Sequence, residues 1–385
     1  MKLAFICTEK LPAPAIKGGA IQMMIDGVSP FLTEKHDLTI FSISDKMLHS
    51  RETINRTHYI RFPRENYRNS VAEELKNHSF DVIHVFNRPK NIELYKQASP
   101  SSRIVLSLHN DMFLERKISD ELGKKAINLT TKITTVSEYI KNRLIARFPE
   151  AEKKITVMYS GVDLKMYPPI WTKQGSMIRQ KYREKYGIGD KKVILFVGRL
   201  SKTKGPHILI HTLKKLVKEN NDIVLVITGG KWFSDNRLND YVRYLYKLAE
   251  PLKEHIIFTK FIPPDEIPNI FLMADVFVCS SQWNEPLARV NYEAMAAGIP
   301  LITTNRGGNG EVVMDQQTGI IINDYNNPSA YVKAIQYLID NPSYANWMAK
   351  NGRSFIETNF DFKHVAERLE KVYIDAYEES VIKNL

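Results

Sequence analysis

The chain is poor in cysteine: of its 385 residues only Cys7 and Cys279 are cysteines, each inside an apolar run. That excludes a disulfide framework and a cysteine-rich metal site. No stretch reaches the roughly 18 consecutive apolar residues that a membrane-crossing helix requires. The opening residues have a short apolar run and no small-residue cleavage pattern, so they read as a strand, and the protein is expected to be cytoplasmic. There is no Asp-x-Asp, His-Glu-x-x-His or calcium-loop pattern, so no metal is expected to be required. Also missing are the Gly-x-Gly-x-x-Gly dinucleotide fingerprint and the Gly-x-x-x-x-Gly-Lys phosphate loop. Zinc-finger spacing, an aromatic RNP strand and a basic heptad helix are absent too, so nucleic acid is not an expected partner.

What remains is an ordinary globular composition, 43% hydrophobic and 25% charged, long enough for two or three domains. The net charge is +11. Residues 1–165 carry 26 Lys and Arg against 19 Asp and Glu, and residues 166–385 carry 28 against 24. A basic surface attracts polyanions, although most of these charges read as a solvated lysine-rich exterior. Short β-branched or aromatic runs alternate with helical patterns from end to end. Strands are expected at 2–7, 37–42, 82–86, 104–108, 132–136 and 155–159, with helices between them. After a pause over 161–186, which holds Pro168-Pro169, alternation resumes. Strands follow at 193–197, 223–228, 256–258, 276–279, 300–303 and 319–322, with helices between them that include 238–252 and 310–315, and helices at 345–359 and 363–380 close the chain. Such alternation implies parallel strands joined by right-handed crossovers, hence two doubly wound α/β domains, 1–165 and 166–360, with a helical tail over 361–385. Ligands of such sheets bind at the carboxyl ends of the strands.

Four loops at those ends hold the chemistry-bearing residues. Gly18-Gly19 precede a helix, where backbone amides can cradle an anion. His109 follows a buried strand. Gly198-Arg199 and Lys204-Gly205 leave the cleanest strand of the chain and form a compact cationic pocket, a guanidinium fork beside a point charge. The fourth loop runs Glu285-Pro286-Leu287-Ala288-Arg289-Val290 into an Ala-rich helix containing Glu293. The amides of Leu287 to Arg289 are expected at the helix start, open to a diphosphate. A carboxylate among such apolar neighbours as those of Glu293 is costly without a partner.

Glu285 and Glu293 in the spacing Glu-x7-Glu, followed by Ala-Met-Ala-Ala-Gly-x-Pro, together with Arg199-x4-Lys204-Gly, Gly18-Gly19 and Ser160-Gly161-Val162-Asp163, resemble glycosyltransferase family 4. The runs 8–12, 196–208 and 275–298 resemble a spore-coat-associated branch of it. The resemblance covers nearly the whole chain. It implies the GT-B fold: two Rossmann-like domains facing each other across a cleft, an acceptor-side domain first and a nucleotide-sugar-binding domain second, with the tail helix packing back on the first. It further implies that Arg199 and Lys204 hold the donor diphosphate and that Glu293 binds the ribose hydroxyls. Glu285 and His109 would lie at the donor sugar, and amides around Gly19, Gly198 and 287–290 near the pyrophosphate. The reaction implied is retaining sugar transfer without a bound cofactor. The co-substrate would be a nucleotide sugar, expected to be a UDP-sugar, and the acceptor a glycan, lipid or protein, in spore coat or cell-surface polysaccharide formation.

Ala288-Arg289 departs from the family's usual Gly followed by an apolar residue. Two other readings stay open. One is a coat component that uses the fold to bind other spore coat proteins, and the other a sugar-nucleotide epimerase. Membrane contact would at most be peripheral.

Overall fold

A computed structural model describes residues 1–230 and 238–383, with side chains as far as residue 379. Residues 384–385 of the expected tail lie outside the described residues. The chain divides into two compact units, Met1–Gly161 with Phe362–Leu385, and Val162–Asp361. The divisions fall at Gly161/Val162 and Asp361/Phe362, against the expected 165/166 and 360/361. Val162 explains the first shift: its amide bonds the Phe360 carbonyl (2.9 Å) and it bridges Asp361, so it is pinned inside the second unit.

The first unit opens with β1 (Lys2–Ile6), α1 (Ala20–Leu32), β2 (Asp37–Ile43), β3 (Arg51–Ile54), β4 (Thr57–Phe62) and α2 (Tyr67–Leu75). It continues with β5 (Val82–Phe86), α3 (Ile92–Ala98), β6 (Arg103–Leu108), α4 (Asp120–Leu129), β7 (Lys132–Thr135), α5 (Glu138–Ile145) and β8 (Ile155–Val157). Its eight-stranded sheet has the order β3-β4-β2-β1-β5-β6-β7-β8. All pairs are parallel but β3–β4. The chain fills one side from β1 outward and then returns to β5 on the other, so β1 and β5 flank a topological switch point.

The second unit contains α6 (Lys173–Lys185), β9 (Lys192–Val197), α7 (Pro206–Leu216), β10 (Ile223–Thr228), α8 (Asp240–Ala249), β11 (Ile256–Lys260) and α9 (Ile267–Leu272). After these come β12 (Val276–Cys279), α10 (Arg289–Ala297), β13 (Leu301–Thr304), β14 (Ile320–Ile322), α11 (Pro328–Asp340) and α12 (Pro342–Asn359). The parallel sheet runs β11-β10-β9-β12-β13-β14, with its switch point between β9 and β12. Strands β9, β10 and β12 are apolar nearly throughout because helices cover both faces of such a sheet.

The last helix, α13 (Phe362–Lys383), belongs to the first unit. Val365, Leu369, Tyr373 and Ala376 are buried in one core cluster with Phe5, Ile25 and Val28. Gly27 lets α1 and α13 meet: a Cβ there would lie 2.2 Å from the Phe362 ring. Within β5, the fully buried His84 binds the Tyr373 hydroxyl of α13 (2.7 Å) and stacks on Phe86 at 4.2 Å.

The β3–β4 hairpin was not anticipated, and two expectations need correction. The helix expected over 310–315 is a 3-10 turn, Asn309–Val312. The helix expected over 238–252 stops at Ala249, where Pro251 in the following turn removes a backbone donor.

Candidate active site

The loop after β9 and the loop after β12 leave the sheet at the second unit's switch point and are stitched together. Gly205 takes a left-handed conformation (φ 73°) and caps α7 ahead of Pro206. A Cβ on it would fall 2.2 Å from the Ser280 carbonyl oxygen, so the two backbones approach as only glycine permits. The Ser280 hydroxyl donates toward the carbonyls of Lys204 and Gly205 (3.0 and 3.1 Å), and the Gln282 amide donates to Thr203 (2.8 Å). Gly198 closes β9, its amide bonded to the Thr228 carbonyl (3.0 Å).

This stitching places the Lys204 ammonium against the Glu285 carboxylate, which also accepts a hydrogen bond from the Ser281 hydroxyl (2.6 Å). Glu285 is 3% exposed. Its backbone is held by Gly308, whose amide donates to the Glu285 carbonyl (2.8 Å). Arg199 is half-buried: burial pushes its guanidinium below the ordinary value, and the Glu285 charge opposes that. Arg199, Lys204 and Glu285 therefore form one electrostatic group.

Glu293 belongs to a second pair. It sits one turn into α10, only 6% exposed, and Arg289 lies one turn before it with the guanidinium 3.7 Å from its carboxylate. Burial raises the Glu293 carboxyl above its usual range, and the Arg289 charge partly offsets this. The acid expected to need a partner has one on its own helix, supplied by the residue that departs from the family pattern.

The expected helix start is corrected. α10 begins at Arg289, with Ala288 still extended as its N-cap, so Leu287 precedes the helix and Val290 is its second residue. The Ala288 amide donates to Asn309 Oδ1 (3.0 Å) and is not open to a ligand in this structure. Pro286 suggested an earlier start. The chain instead stays extended there because Glu285 bridges Gly307 of the neighbouring loop.

Gly18, Gly19 and His109 are in the first unit. Both glycines have positive φ (73° and 106°), and Gly19 caps α1. The Gly18 amide bonds Ala15 (2.7 Å). His109 follows β6, and its amide donates to Asn87 Oδ1 (2.8 Å). Asn87 itself holds a left-handed conformation (φ 53°) at the end of β5.

A family model for group 1 glycosyl transferases matches residues 178–355, and one for Glycosyltransferase Family 4 matches residues 23–166. Over 373 residues the chain is 63% identical to the protein YtcC of Bacillus subtilis (strain 168), covering 97% of this chain and 92% of that one. It is 46% identical over 373 residues to spore coat protein SA of the same organism, covering 97% and 99%. The chain belongs to the group 1 glycosyltransferases. A crystal structure of Anabaena Alr3699/HepE in complex with UDP and glucose superposes with a TM-score of 0.76, at 21% identity over 96% of this chain and 98% of that one. The fold of this glycosyltransferase is GT-B.

Sequence reasoning missed three groups that shape the transferase's loops: Ser281 on Glu285, Asn309 on the Ala288 amide, and Asn87 on the His109 amide. Only Ser281 carried a local signal, four residues before the acid it holds. The other two act across 21 and 22 residues of chain. Among the described residues no cluster of His, Cys, Asp and Glu has the makings of a metal site, and no helix is long and apolar enough to cross a membrane.

Proposed function

We propose that this glycosyltransferase moves a sugar from a nucleoside diphosphate donor, a UDP-sugar, to a glycan or lipid acceptor with retention of the anomeric configuration. The observation that carries the reading is the Arg199–Lys204–Glu285 group at the switch point of the second sheet. Arg199 and Lys204 hold the diphosphate and stabilise the charge that grows on it as the bond from the anomeric carbon to phosphate breaks. The acceptor oxygen bonds that carbon from the same face, and its proton passes to the departing phosphate. Glu285 orients the donor sugar, and Glu293 accepts hydrogen bonds from the ribose. Contacts from Gly18, Gly19 and His109 to the donor rest on the sequence pattern alone. The UDP-containing complex of HepE supports the choice of base.

The test is release of nucleoside diphosphate across a panel of UDP-, GDP- and ADP-sugars. One well-aimed cationic donor is worth about 3 kcal/mol in the transition state, so Lys204→Ala is expected to lower kcat by about 100-fold. Glu293→Ala is expected to raise the donor KM. A wild type that never turns over, with both variants binding donors as it does, overturns the reading.

The 46% identity to spore coat protein SA supports a place for the chain in spore coat or cell-surface polysaccharide formation. It equally supports a binding role within a coat. Coat assembly that survives Arg199→Ala with Lys204→Ala favours the binding role, and its loss favours the enzyme. An epimerase would convert the donor without any acceptor, which chromatography of the product resolves.

A further inference from the structure

Glu293 and Arg289 stand one turn apart on α10, and both side chains are nearly buried. The guanidinium lies 3.7 Å from the carboxylate, too far for a hydrogen bond but close enough for a strong attraction between charges. Among the described residues no group donates a hydrogen bond to the Glu293 carboxylate. Its acceptor sites are therefore open, whereas a buried polar group ordinarily has them filled. Glu285, the other acid of the motif, is built differently: the Ser281 hydroxyl (2.6 Å) and the Lys204 ammonium bond it directly.

The elements packed chiefly on α10 are α9, α12, β12 and β13. α9 and β13 carry no ionisable residue, and burial pushes the Cys279 thiol of β12 up. On α12, Lys350 sits over the Trp171 ring at 5.9 Å. Arg353 of the same helix donates to the Tyr167 and Ala296 carbonyls (2.6 and 2.5 Å) and to Glu357 (2.6 Å). Tyr167 is buried ahead of α6, and burial first, then the Glu293 charge, push its phenol well above the ordinary value. The other ionisable group of α10 is the buried phenol of Tyr292. Among the described residues Arg289 is thus the charge set against the burial of Glu293.

We infer that Arg289 is a positioning residue for the nucleoside: its guanidinium keeps the Glu293 carboxylate ionised, so that this acid selects an unmodified ribose. The inference deepens the proposed reading of Glu293 as the ribose acceptor and rests on it. An ionised carboxylate accepts from two hydroxyls at once, whereas a protonated one has a hydrogen of its own to place. A pocket built to receive a hydroxyl rejects the analogue that lacks it, because the buried acceptor is then left unfilled. Without Arg289 burial acts alone, and the carboxyl takes up its proton at a higher pH. The hold on the ribose then fades as pH falls.

The full chain is titrated with UDP and with 2′-deoxy-UDP from about pH 8 to about pH 6, above the ordinary carboxyl range. The ratio of the two affinities isolates the ribose contact, since the diphosphate titrates alike in both. The wild type should prefer UDP about tenfold or more throughout, about 1.4 kcal/mol. Arg289→Met should prefer it most at about pH 8 and lose most of that preference by about pH 6. Arg289→Lys, which keeps a charge, should behave as the wild type, and Arg289→Met/Glu293→Gln should show no dependence on pH. A wild-type preference that fades over this range overturns the inference, and that measurement stands even where Arg289→Met fails to fold. An Arg289→Met preference level with pH overturns it too. So does an equal loss of both ligands at every pH, the mark of a displaced helix. These two outcomes leave the donor reading in place. A wild type that binds UDP and its deoxy analogue alike removes Glu293 from the ribose, and the inference falls with that reading.

Discussion

Glu293 and Gly205 are individually poor choices for stability, one a charge in an apolar helix and the other a glycine at a contact between two loops. Glu293 is a carboxylate in an apolar helix, made tolerable by Arg289 at 3.7 Å. Gly205 sacrifices backbone order so that two loops can touch. Gly205→Ala would force a side chain into left-handed backbone and a Cβ to within 2.2 Å of a carbonyl oxygen. The expected loss is about 3 kcal/mol of unfolding free energy, read from urea denaturation. A variant as stable as the wild type would mean that the loops separate without cost. The Arg199-x4-Lys204-Gly motif was legible in sequence because charge, glycine and strand end lie within eight residues. The Asn309 side chain on the Ala288 amide was not, since nothing in local spacing connects residues 21 apart.

Among the elements, the central strands were read most faithfully. β5, β10 and β12 are short apolar runs bounded by turn residues, and the structure places them at the expected residues. The β3–β4 hairpin escaped because its strands carry Arg, Glu, Thr and His and its turn, Asn55-Arg56, lacks glycine although both residues have positive φ. β5 also hides a feature that periodicity passes over, His84, a titratable ring inside a fully buried strand. Burial, and to a lesser extent the His109 charge, drive its pKa well below the ordinary 6.5. The unfolded chain then takes up a proton on His84 below about pH 6.5 that the folded state refuses, so stability falls as pH falls. The slope from this ring approaches about 1.4 kcal/mol per pH unit. Unfolding free energies measured from about pH 7 down to about pH 5 should fall less steeply in His84→Gln than in the wild type. Equal slopes would show that the ring protonates in place.

For the molecule as a whole, alternation revealed two doubly wound units, while the site's polar cross-links needed coordinates. All four tryptophans, 171, 232, 283 and 347, lie within Val162–Asp361. Intrinsic fluorescence therefore follows the second unit, while circular dichroism follows both. A bound nucleotide sugar stabilises what it touches, by about 2.7 kcal/mol at a hundredfold excess over Kd. Adding UDP-sugar should raise the fluorescence-detected Tm. A Tm unmoved at saturating donor would place binding outside this unit.

The passage of α13 back to the first unit also bears on synthesis. The second unit leaves the ribosome whole, bounded by residues 162 and 361, and can fold as it emerges. The first, although made earlier, waits with an open flank over Phe5, Ile25 and Val28 until residues 362–383 arrive. A nascent chain arrested in that interval would hold a finished half and an unfinished one, and the older half would be the one in need of a chaperone.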